Sequence, residues 1–578
     1  MDTHTRSHKW CCYLGILMLL LVGVIVLVRL MAFGAVPTIP TAITTNTTDK
    51  HGAVAADATV CSQTGRDILK QGGSAVDAAI AALLCTSLRN PQSTGIGGGV
   101  IFTIYDAKRG NIEIINARET APQNVIQNLT QNCSSEFAFK IGPQWIAVPG
   151  ELRGYEEAHR RYGRLPWKDL FAPTIKMAEE GFPLPRVIAK YLNHPYFAIA
   201  AKKYLCPQFC KDGRPLKEGE LIKYPELART LKSIAENGAQ EFYSGYLAEQ
   251  MVKDLQKQGA NLTLEDFRNY RAEVVTPLNI TLKDYIMYFP PPPAGGVILS
   301  YILNILKGYN LTSQSVNNKD SRLLTYHRII EAFKFANGQK PRIENPQYKT
   351  EDVAEILSDS FAETTRRRIN DSCTYSKEYY SSVLSTSERM GTSHVSVIAA
   401  DGSAVSVTST INHLFGAMVF SRATGVIFNN ELADFCRLNS NPDFKINPGE
   451  KPPSAMTPAI LFSKDKRSTL AIGGAGGDMI ITATAQAIMN KLWFGYSLKE
   501  AIALPRFYIS QKFDEQIDAE EEELHNIWKE DNVEDNLKYL GHRFQKTLLP
   551  SAVQGVFKNK DGICAMSDRR KDAEASGY

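Results

Sequence analysis

The sequence predicts an α/β fold, because clear strand signals and clear helix signals alternate along one chain. Three stretches carry the prediction: an alternating run over residues 393–412, an apolar run over residues 100–105, and a strand-to-helix junction over residues 469–494. Strict alternation and short apolar runs indicate buried strands, whereas longer apolar runs indicate helices. The 578 residues are sufficient for one large core or for a few smaller ones.

The alternating run predicts a β-hairpin that is rich in hydroxyl groups. Residues 390–397 and 406–412 alternate small polar side chains with β-branched ones, and Ala-Asp-Gly-Ser at 400–403 is typical of a turn. Threonine is a common strand residue, so packing alone explains its frequency here. The pattern by itself therefore assigns no activity to the hairpin.

The N-terminal part of the chain has the features of a membrane anchor. Residues 11–36 are apolar apart from Arg29, and residues 11–28 alone are long enough to cross about 30 Å of hydrocarbon as a helix. Basic residues in the tail 1–10 predict a cytosolic N-terminus and an extracellular remainder, with residues 37–50 as a stalk. We therefore expect a single-pass type II plasma-membrane protein. A cleaved signal peptide is the alternative, which the long apolar run and the lack of a small-residue cleavage site disfavour.

Glycosylation and disulfide signals agree with an extracellular location. Asn-x-Ser/Thr sequons, all before residue 392, occur at Asn46, Asn128, Asn132, Asn261, Asn279, Asn310 and Asn370. Disulfides persist in that environment. Cys206 and Cys210 are spaced to close a tight loop. Cys61 and Cys85 lie on successive predicted helices that a disulfide can join. The sequence reveals no pairing for the others beyond the membrane segment, which are Cys133, Cys373, Cys436 and Cys564.

Composition excludes several classes of partner. A formal net charge of +4 on 578 residues gives no indication of the basic surface that nucleic acids require. Histidines and cysteines are not spaced as they are in zinc sites. We therefore expect no nucleic-acid partner, no metal and no cofactor.

Two helices and a glycine cluster precede the first predicted strand. Residues 53–70 are rich in alanine and predict a helix, and Ser74 is placed to cap a second helix over residues 75–88. Glycines then dominate residues 95–99 and lead directly into the strand at 100–105. A phosphate-binding loop opens a helix rather than a strand, so this cluster predicts close backbone packing and no nucleotide site.

Three features between these strands and the hairpin are relevant to a site. Arg118 follows a strand over residues 112–115 and would bind a carboxylate if it faced a pocket; a surface charge is the alternative. Residues 149–368 are mostly amphipathic helices, and the proline-rich run at 290–296 predicts a rigid turn before a helix. Residues 376–389 are polar and predict a mobile segment.

After the hairpin, acidic and glycine-rich motifs indicate a site for a charged ligand. Glu431 and Asp434 lie close together after a strand. A strand at 469–472, glycines at 473–477 and a long helix at 478–494 form the order that presents consecutive backbone N–H groups to an anion. The loop lacks the Lys-Ser/Thr ending of a P-loop, so an oxyanion or a carboxylate fits it as well as a phosphate.

In order and spacing, these motifs resemble the gamma-glutamyltransferase family over the whole chain beyond the stalk. The matching stretches are 53–57, 73–79, 95–99, 116–119, 148–155, 391–397, 408–412, 428–431, 473–477 and 567–571. Within that family, the stretches most similar to the gamma-glutamyl leukotrienase branch are 91–93, 290–296, 415–419 and 487–493.

The resemblance implies an N-terminal-nucleophile hydrolase with a four-layer αββα core, whose precursor cuts itself before a threonine. Carried over to this sequence, the cut lies between Gly391 and Thr392. It would produce a large subunit with residues 51–391 in the ectodomain and a small subunit of residues 392–578, and the two would form a heterodimer. An N-terminal threonine carries its own base, because its α-amine has a pKa of about 8.

The resemblance also assigns roles at the site. The implied catalytic residues are Thr392 as the nucleophile that forms a γ-glutamyl ester, Thr410 as its positioning partner, and Gly476 and Gly477 as the oxyanion hole. The implied substrate-binding residues are Arg118, Ser454 and Ala455 for the α-carboxylate, and Asn412, Glu431 and Asp434 for the α-ammonium. An amino-acid head group needs a partner of each sign, and this set supplies both.

Two positions depart from the family pattern. Ser454-Ala455 replaces the usual Ser-Ser, which removes one hydroxyl from the carboxylate site and is expected to raise the donor KM by an amount worth ~1 kcal/mol. Residues 343–346 have the sequence Ile-Glu-Asn-Pro in place of Leu-Gly-Asp-Pro, so a glycine suited to positive φ is absent. The second change is expected to affect folding or maturation more than chemistry.

These implications lead to two hypotheses. In the first, the protein is a cell-surface enzyme that transfers γ-glutamyl groups from glutathione and its S-conjugates, leukotriene C4 included, to water, amino acids or dipeptides. In the second, it is a weakly active or silent relative that serves as a membrane glycoprotein with a binding role. A third hypothesis, nucleotide binding through the glycine-rich loops, is disfavoured because neither glycine cluster has the accompanying signature.

Overall fold

Two antiparallel β-sheets, packed face to face, form the centre of the molecule. The computed structural model describes residues 49–133, 140–193, 199–382, 391–438, 444–511, 516–520, 532–546 and 551–578. The strands of the two sheets are β1 (Ala53–Ala55), β2 (Gly99–Asp106), β3 (Asn111–Ala117), β4 (Glu273–Val275), β5 (Leu278–Leu282), β6 (Tyr285–Phe289), β7 (Ser393–Ile398), β8 (Ala404–Thr410), β9 (Ala459–Ser463), β10 (Thr469–Ala475), β11 (Ala552–Asn559), β12 (Gly562–Met566) and β13 (Ser576–Gly577). Within the described ranges, the first sheet has the order β13-β1-β7-β8-β2-β3-β4, and the second has the order β12-β11-β10-β9-β6-β5.

Helices make up much of the remaining chain. In the described ranges they are α1 (Thr59–Lys70), α2 (Ala75–Arg89), α3 (Glu151–Tyr162), α4 (Trp167–Glu180), α5 (Arg186–Leu192), α6 (Cys206–Phe209), α7 (Pro225–Asn237), α8 (Gln240–Tyr243), α9 (Tyr246–Lys257), α10 (Leu264–Asn269), α11 (Gly296–Lys307), α12 (Lys319–Glu344), α13 (Thr350–Leu357), α14 (Asp359–Arg368), α15 (Ile480–Leu492), α16 (Leu498–Ala503) and α17 (Val533–Tyr539). The region 149–368 is mostly helical as predicted, but it also contributes β4, β5 and β6, which were not predicted.

The helices cover the outer face of each sheet. α2 and α3 pack on β7, β8, β2 and β3 of the first sheet, whereas α11, α15 and α16 pack on the second sheet. A separate apolar layer, which includes Ala53, Ile398 and Ala471, lies between the two sheets. The layer order is therefore helix, sheet, sheet, helix, and the predicted four-layer αββα core is confirmed.

The predicted hairpin is present as β7 and β8, with Ser393 opposite Ser409. Its valines pack against the helices, whereas the Ser396 and Ser406 hydroxyls donate to carbonyl groups of the second sheet. The His394 ring lies 2.8 Å from the Thr408 hydroxyl and 3.0 Å from the Ser396 hydroxyl. Burial lowers the pKa of His394 to about 3, so the ring is neutral. These hydroxyl groups therefore satisfy a buried histidine between the sheets, which is a structural role.

The prediction of a helix over residues 53–70 is wrong for its first part. Residues 53–55 form β1, and the helix α1 begins only at Thr59. β1 is hydrogen-bonded on both edges, by β7 and by β13. This tertiary pairing overrides the helix propensity of alanine. The capping prediction for Ser74 is confirmed, because its Oγ accepts a hydrogen bond from the Asp77 N–H at 3.0 Å.

Strands from before and after residue 391 are interleaved within the first sheet. β1 lies between β7 and β13, and β8 lies beside β2. In the second sheet, β6 lies beside β9 in the same way. A cut at this residue would therefore leave two chains whose strands are interleaved, so they stay associated through backbone hydrogen bonds.

Disulfides join three pairs of cysteines in the described part of the chain. Two of them are the pairs considered from the sequence, Cys61–Cys85 and Cys206–Cys210. The third, Cys133–Cys436, was not predicted, because a sequence separation of 303 residues leaves no local signal. Cys373 and Cys564 are free thiols.

The prediction of a mobile segment over residues 376–389 is wrong for residues 376–382. Tyr380 is only 1% exposed, and its hydroxyl donates to the Glu331 carboxylate at 2.6 Å. Its ring also packs edge-on against Phe335. Aromatic burial on α12 therefore holds this polar segment in place, and residues 383–390 lie outside the described residues.

Beside this segment lies a buried cluster of side chains that commonly bind metals. One ligand atom from each of His327, Glu331 and His542 lies within 4.8 Å of the others. The His327 and His542 rings are already bonded to each other at 2.8 Å, and the Lys334 ammonium lies 3.3 Å from His542. The neighbouring ammonium disfavours a bound cation, so we interpret the cluster as a hydrogen-bonded network.

The remaining sequence predictions concern the surface and the N-terminus. The proline-rich run has a structural role, because the Pro293 carbonyl accepts a hydrogen bond from the Ser454 N–H at 2.7 Å.

Among the sequons, Asn128, Asn261, Asn279 and Asn310 are exposed, and Asn370 is partly buried. Asn46, the Asn132 side chain and the predicted tail, anchor and stalk up to residue 48 lie outside the described residues. In the ranges that are described, no helix is both long and apolar enough to cross a bilayer.

Candidate active site

The predicted cleavage position lies at the buried start of β7. Thr392 is 4% exposed, and its Oγ1 contacts the carbonyl oxygen of Gly391. A Cβ atom added to Gly391 would lie 2.1 Å from the Asn412 carbonyl oxygen, so only glycine fits there. Thr392 has a φ of 155°, which is unusual for a β-branched residue. The hydroxyl of Thr392 therefore lies directly beside the peptide bond that the resemblance predicts to be cut.

Thr410 lies beside this threonine at the end of β8. The Thr392 and Thr410 hydroxyl oxygens are 3.3 Å apart. The Asn412 N–H donates to the Thr410 hydroxyl at 2.8 Å, which fixes that side chain. The pairing of Thr410 with Gly99 in β2 sets its position along the sheet. The hairpin register therefore brings the two predicted threonines together.

A small cavity, here called the inner cavity, opens beside Thr392. It is lined by Arg118, Gly391, Thr392, Thr410, Asn412, Glu431, Asp434, Ser454, Ala455, Met456, Gly477 and Ile480. Every predicted catalytic or substrate-binding residue except Gly476 therefore lies at one cavity. Five separate parts of the chain supply these residues, so their proximity is a product of the tertiary fold.

Arg118 does not face solvent; it is 1% exposed and paired with acids. One of its terminal nitrogens lies 2.6 Å from Glu431 and 2.7 Å from Asp434. The same guanidinium donates to the Pro453 carbonyl at 2.9 Å. The Asn412 amide donates to Asp434 at 3.0 Å. The three groups that we expected to contact opposite ends of an amino acid therefore lie in direct contact with one another.

The charge balance at this cluster is set by burial and by ion pairing. Burial acts to lower the pKa of Arg118, but Glu431, Glu119 and Asp434 outweigh it and raise the pKa above its usual value. Burial raises the pKa of Glu119 to about 8, although Arg118 acts in the opposite direction. Arg118 is therefore permanently charged, and the acids that it contacts hold it in one orientation.

The glycine motif near residue 475 differs from the predicted loop. Residues 473–475 are part of β10, and α15 begins only at Ile480 after a short 3₁₀ turn. Gly473 serves packing, because an added Cβ would lie 2.3 Å from the His394 ring. Gly476 and Gly477 both have positive φ, at 120° and 61°, which favours glycine. Only these last two glycines therefore remain candidates for contact with an anion.

A larger cavity, here called the outer cavity, lies on the other side of Thr392 and has a volume of about 230 Å³. It is lined by Ser93, Arg186, Val187, Lys190, Tyr191, Gly391, Thr392, Gly476, Met479, Ala552, Arg569, Arg570, Lys571 and Asp572. Basic side chains outnumber the one acid in this lining. Arg186 and Lys190 are exposed on successive turns of α5 and form no ion pair with any described residue. Sequence reasoning missed this cavity, because α5 carries no local motif.

Lys571 connects two stretches that are far apart in sequence, 53–57 and 567–571, beside Thr392. Its ammonium lies 3.3 Å from the Asp57 carboxylate and 3.5 Å from the Thr392 carbonyl oxygen. Burial raises the pKa of Asp57, although Lys571 acts in the opposite direction. The Ala56 N–H also donates to the Ser567 hydroxyl at 3.1 Å. The matching stretches 53–57 and 567–571, which had no assigned role, therefore pack together at the candidate nucleophile.

Arg437 connects the segments that carry the acids and the glycine pair. It follows Asp434 in the 3₁₀ segment Glu431–Leu438, pairs with Glu344 at 2.8 Å, and also pairs with Asp478. Glu344 is part of the sequence departure at 343–346. The expected need for positive φ there is wrong, because α12 continues through Glu344 and Asn345 has a φ of −68°. Glu344, which stands where the family pattern has glycine, therefore serves as an ion-pair partner for Arg437.

Comparison with known proteins assigns the chain to a family. Residues 61–578 match the family described as Gamma-glutamyltranspeptidase. The chain belongs to this family. The predicted family and the predicted enzyme class, γ-glutamyl transfer, are thereby confirmed.

Individual relatives and solved structures agree. The glutathione hydrolase 5 proenzyme of Mus musculus is 44% identical over 540 residues, which cover 91% of this chain and 93% of the mouse protein. The cephalosporin acylase from Bacillus halodurans matches with a TM-score of 0.79 and 27% identity, over 92% of this chain and 96% of that one. The Helicobacter pylori gamma-glutamyltranspeptidase matches with a TM-score of 0.51 and 26% identity, over 55% of this chain and 92% of that one. The mixed α/β fold of N-terminal-nucleophile hydrolases is confirmed.

Proposed function

We propose that this gamma-glutamyltranspeptidase family member is a cell-surface glutathione hydrolase and γ-glutamyltransferase whose nucleophile is Thr392. The observation that carries the proposal is the inner cavity, where the Thr392 hydroxyl shares a space with Arg118 and the acids Glu431 and Asp434. A γ-glutamyl head group has one α-carboxylate and one α-ammonium. Its α-carboxylate can pair with Arg118, and its α-ammonium can pair with Glu431 and Asp434. Each buried charge then keeps a partner of opposite sign.

In the proposed reaction, the Thr392 oxygen adds to the γ-carbonyl carbon while its proton passes to the α-amine of the same residue. The N–H groups of Gly476 and Gly477 receive the developing oxyanion. The C–N bond then breaks, the leaving amine takes the proton, and a γ-glutamyl ester remains on Thr392. Water or the amine of an amino acid or dipeptide then attacks the ester and restores the hydroxyl group.

We propose that the same hydroxyl first cuts the precursor. The Thr392 oxygen adds to the Gly391 carbonyl carbon, the peptide bond becomes an ester, and water hydrolyses that ester to leave a free α-amine on Thr392. The contact between this hydroxyl and the Gly391 carbonyl supports the proposal. So does the lack of space for a side chain at residue 391.

The outer cavity bears on the choice of donor. Relatives named glutathione hydrolase 5 lead us to propose glutathione and its S-conjugates, leukotriene C4 included, as donors. The leaving groups of these donors carry carboxylates and differ widely in size. The outer cavity beside Thr392 is basic and larger than the inner one, so it suits such groups in both respects. No metal or cofactor is part of the proposed reaction.

We further propose that residues 11–36 anchor the protein in the plasma membrane with the catalytic domain outside the cell. The apolar sequence and the basic tail support this orientation. The exposed sequons Asn128, Asn261, Asn279 and Asn310 are accessible for glycosylation.

The proposed function is tested with the full-length chain expressed at the surface of mammalian cells. After deglycosylation and reduction, a denaturing gel should separate a large chain from a small chain, and sequencing of the small chain should begin at Thr392. Membranes from these cells should release glutamate from glutathione and convert leukotriene C4, whereas Thr392→Ala membranes should do neither. A single uncut and inactive wild-type chain would instead support the alternative, a silent glycoprotein with a binding role.

A further inference from the structure

The Cys133–Cys436 disulfide joins residues on opposite sides of the Gly391–Thr392 peptide bond. The Cα atoms of the two cysteines are 5.5 Å apart, although 303 residues separate them in sequence. The other two disulfides, Cys61–Cys85 and Cys206–Cys210, lie entirely before residue 391. Cys133–Cys436 is therefore the one described disulfide that a cut at this position would convert into a bond between two chains.

The disulfide is buried in a small apolar cluster of its own. Cys133 and Cys436 are 3% and 2% exposed. The cluster combines Leu129 and Trp145 from before the cut with Phe435 and other apolar residues from after it. Both sides of the cut therefore contribute to one core around the sulfur atoms, and thiol reagents have little access to them.

The same cluster supports the segment that carries the acids of the inner cavity. Cys436 lies in the 3₁₀ segment Glu431–Leu438, and the Leu432 and Phe435 side chains of that segment enter the cluster. Glu431 and Asp434 of the same segment face Arg118 instead. Such a short 3₁₀ segment has little stability of its own, so its position depends on what it packs against.

Hydrogen bonds from Lys140 extend this support. The Lys140 ammonium donates to the Cys133 carbonyl at 2.7 Å, and the Lys140 carbonyl accepts from the Asn430 amide at 3.0 Å. Asn430 is adjacent to Glu431 in the chain. The disulfide and these bonds therefore hold the acid-bearing segment at both of its ends.

We infer that Cys133–Cys436 links the two chains covalently after cleavage and positions Glu431 and Asp434 for the donor. This inference rests on the proposed cut and on the proposed role of the inner cavity. A positioning role predicts an effect on donor KM that exceeds the effect on kcat. The reason is that Glu431 and Asp434 are proposed to bind the donor, whereas Thr392 carries out the chemical step.

The covalent link is tested on wild-type protein whose free thiols are alkylated before denaturation. After deglycosylation, a denaturing gel without reductant should show one band of the full mass, and reductant should resolve it into two chains. A digest without reductant should contain the peptide that joins Cys133 to Cys436. Two separate chains without reductant would overturn the link while leaving the proposed cut intact. One chain under both conditions would mean that the cut itself does not occur, which overturns the proposed function and this inference together.

The positioning role is tested with the double variant Cys133→Ser/Cys436→Ser, and Cys206→Ser/Cys210→Ser is the matched control. The first should raise the donor KM on the order of tenfold, which is the effect of weakening one charge-assisted contact. It should change kcat less, and the control should change neither. An unchanged KM in a folded and processed double variant would overturn this role.

A second variant provides an independent test if the double variant does not reach the cell surface. Lys140→Met preserves the disulfide and removes the hydrogen bond to the Cys133 carbonyl. It should raise the donor KM a few-fold without loss of the cut. A wild-type KM for this folded variant would overturn the support that we assign to Lys140 and, in the absence of the double variant, the positioning role.

Discussion

The two cavities that meet at Thr392 differ in how they hold charge. In the inner cavity, Arg118 is buried and in contact with Glu431 and Asp434, so each charge has a fixed partner. In the outer cavity, Arg186 and Lys190 are exposed on a short helix and have no ion-pair partner among the described residues. A buried charge requires a partner because it has lost its water, whereas an exposed charge does not.

This difference indicates that the two cavities bind different parts of the substrate. The inner cavity is small and preorganised, which suits a head group that is the same in every γ-glutamyl donor. The outer cavity is larger and carries exposed charges, which suits leaving groups and acceptors that vary. Substitutions in the inner cavity should therefore have large effects on stability and on catalysis for every donor. Substitutions in the outer cavity should have small effects that depend on the donor.

The largest effect is expected at the residue that both cavities share. Thr392→Ala removes the proposed nucleophile, so the chain should stay uncut and activity should fall by at least about 10⁴-fold. Thr392→Ser keeps a hydroxyl group and serves as the control, which should still be cut and retain measurable activity. Gel analysis and a glutathione hydrolysis assay provide the readouts. Normal cleavage in Thr392→Ala would place the nucleophile elsewhere.

Arg118→Met should have the next largest effect, because it leaves Glu431 and Asp434 buried without their counterion. Removal of one partner from a buried ion pair typically costs about 3–5 kcal/mol of stability. Urea unfolding should report that loss, and kcat/KM should fall for every γ-glutamyl donor. Arg118→Lys, which keeps the charge but has a single donor group, should fall between this variant and wild type. Unchanged stability would contradict the role that we assign to the buried ion pairs.

Arg437→Met should affect the inner cavity indirectly. The substitution removes the bridge between Glu344 and Asp478, so the acid-bearing segment and the glycine pair lose a common support. We expect kcat/KM to fall by about one to two orders of magnitude, since small misplacements near a reacting centre can cost about 10²-fold. Arg342→Met, which breaks more exposed ion pairs on α12, is the control. Equal effects from both variants would argue against a specific bridge.

The double variant Arg186→Gln/Lys190→Gln should have a smaller effect that depends on the donor. Exposed charges contribute about 0.2–1 kcal/mol each, so loss of both should raise the KM for glutathione about two- to thirtyfold. The effect should shrink at high salt because exposed charges are screened. A γ-glutamyl anilide without a carboxylate in its leaving group should show no change. An equal rise in the KM for the anilide would mean that these cations do not contact the carboxylate of the leaving group.

Ala455→Ser should have the smallest effect. Ala455 lines the inner cavity, and the substitution introduces the hydroxyl group that the family resemblance predicts there. A gain of ~1 kcal/mol would lower the donor KM by about fivefold and leave cleavage intact. Steady-state kinetics with glutathione decide this, and Ala459→Ser on β9 is a control outside the cavity. If the donor KM stays the same, the second hydroxyl is not a donor contact in this protein.

Sequence reasoning predicted the site better than it predicted the elements that build it. Every predicted site residue except Gly476 lines the inner cavity, and Gly476 lies beside Thr392 in the outer one. In contrast, the first strand was predicted to be part of a helix. The glycine loop was predicted to begin at Gly473, whereas residues 473–475 belong to β10. Motif order reflects the chemistry of the site, whereas strand ends depend on partners that lie far away in the chain.

The sequence by itself determined the family, the β7–β8 hairpin and the capped helix α2. These features depend on neighbouring residues, whose backbone preferences and spacing act locally. The tertiary structure alone decided that Arg118 pairs with Glu431 and Asp434, that Cys133 meets Cys436, and that the outer cavity is basic. Each of these requires the burial and proximity of residues hundreds of positions apart, and no local pattern encodes such contacts.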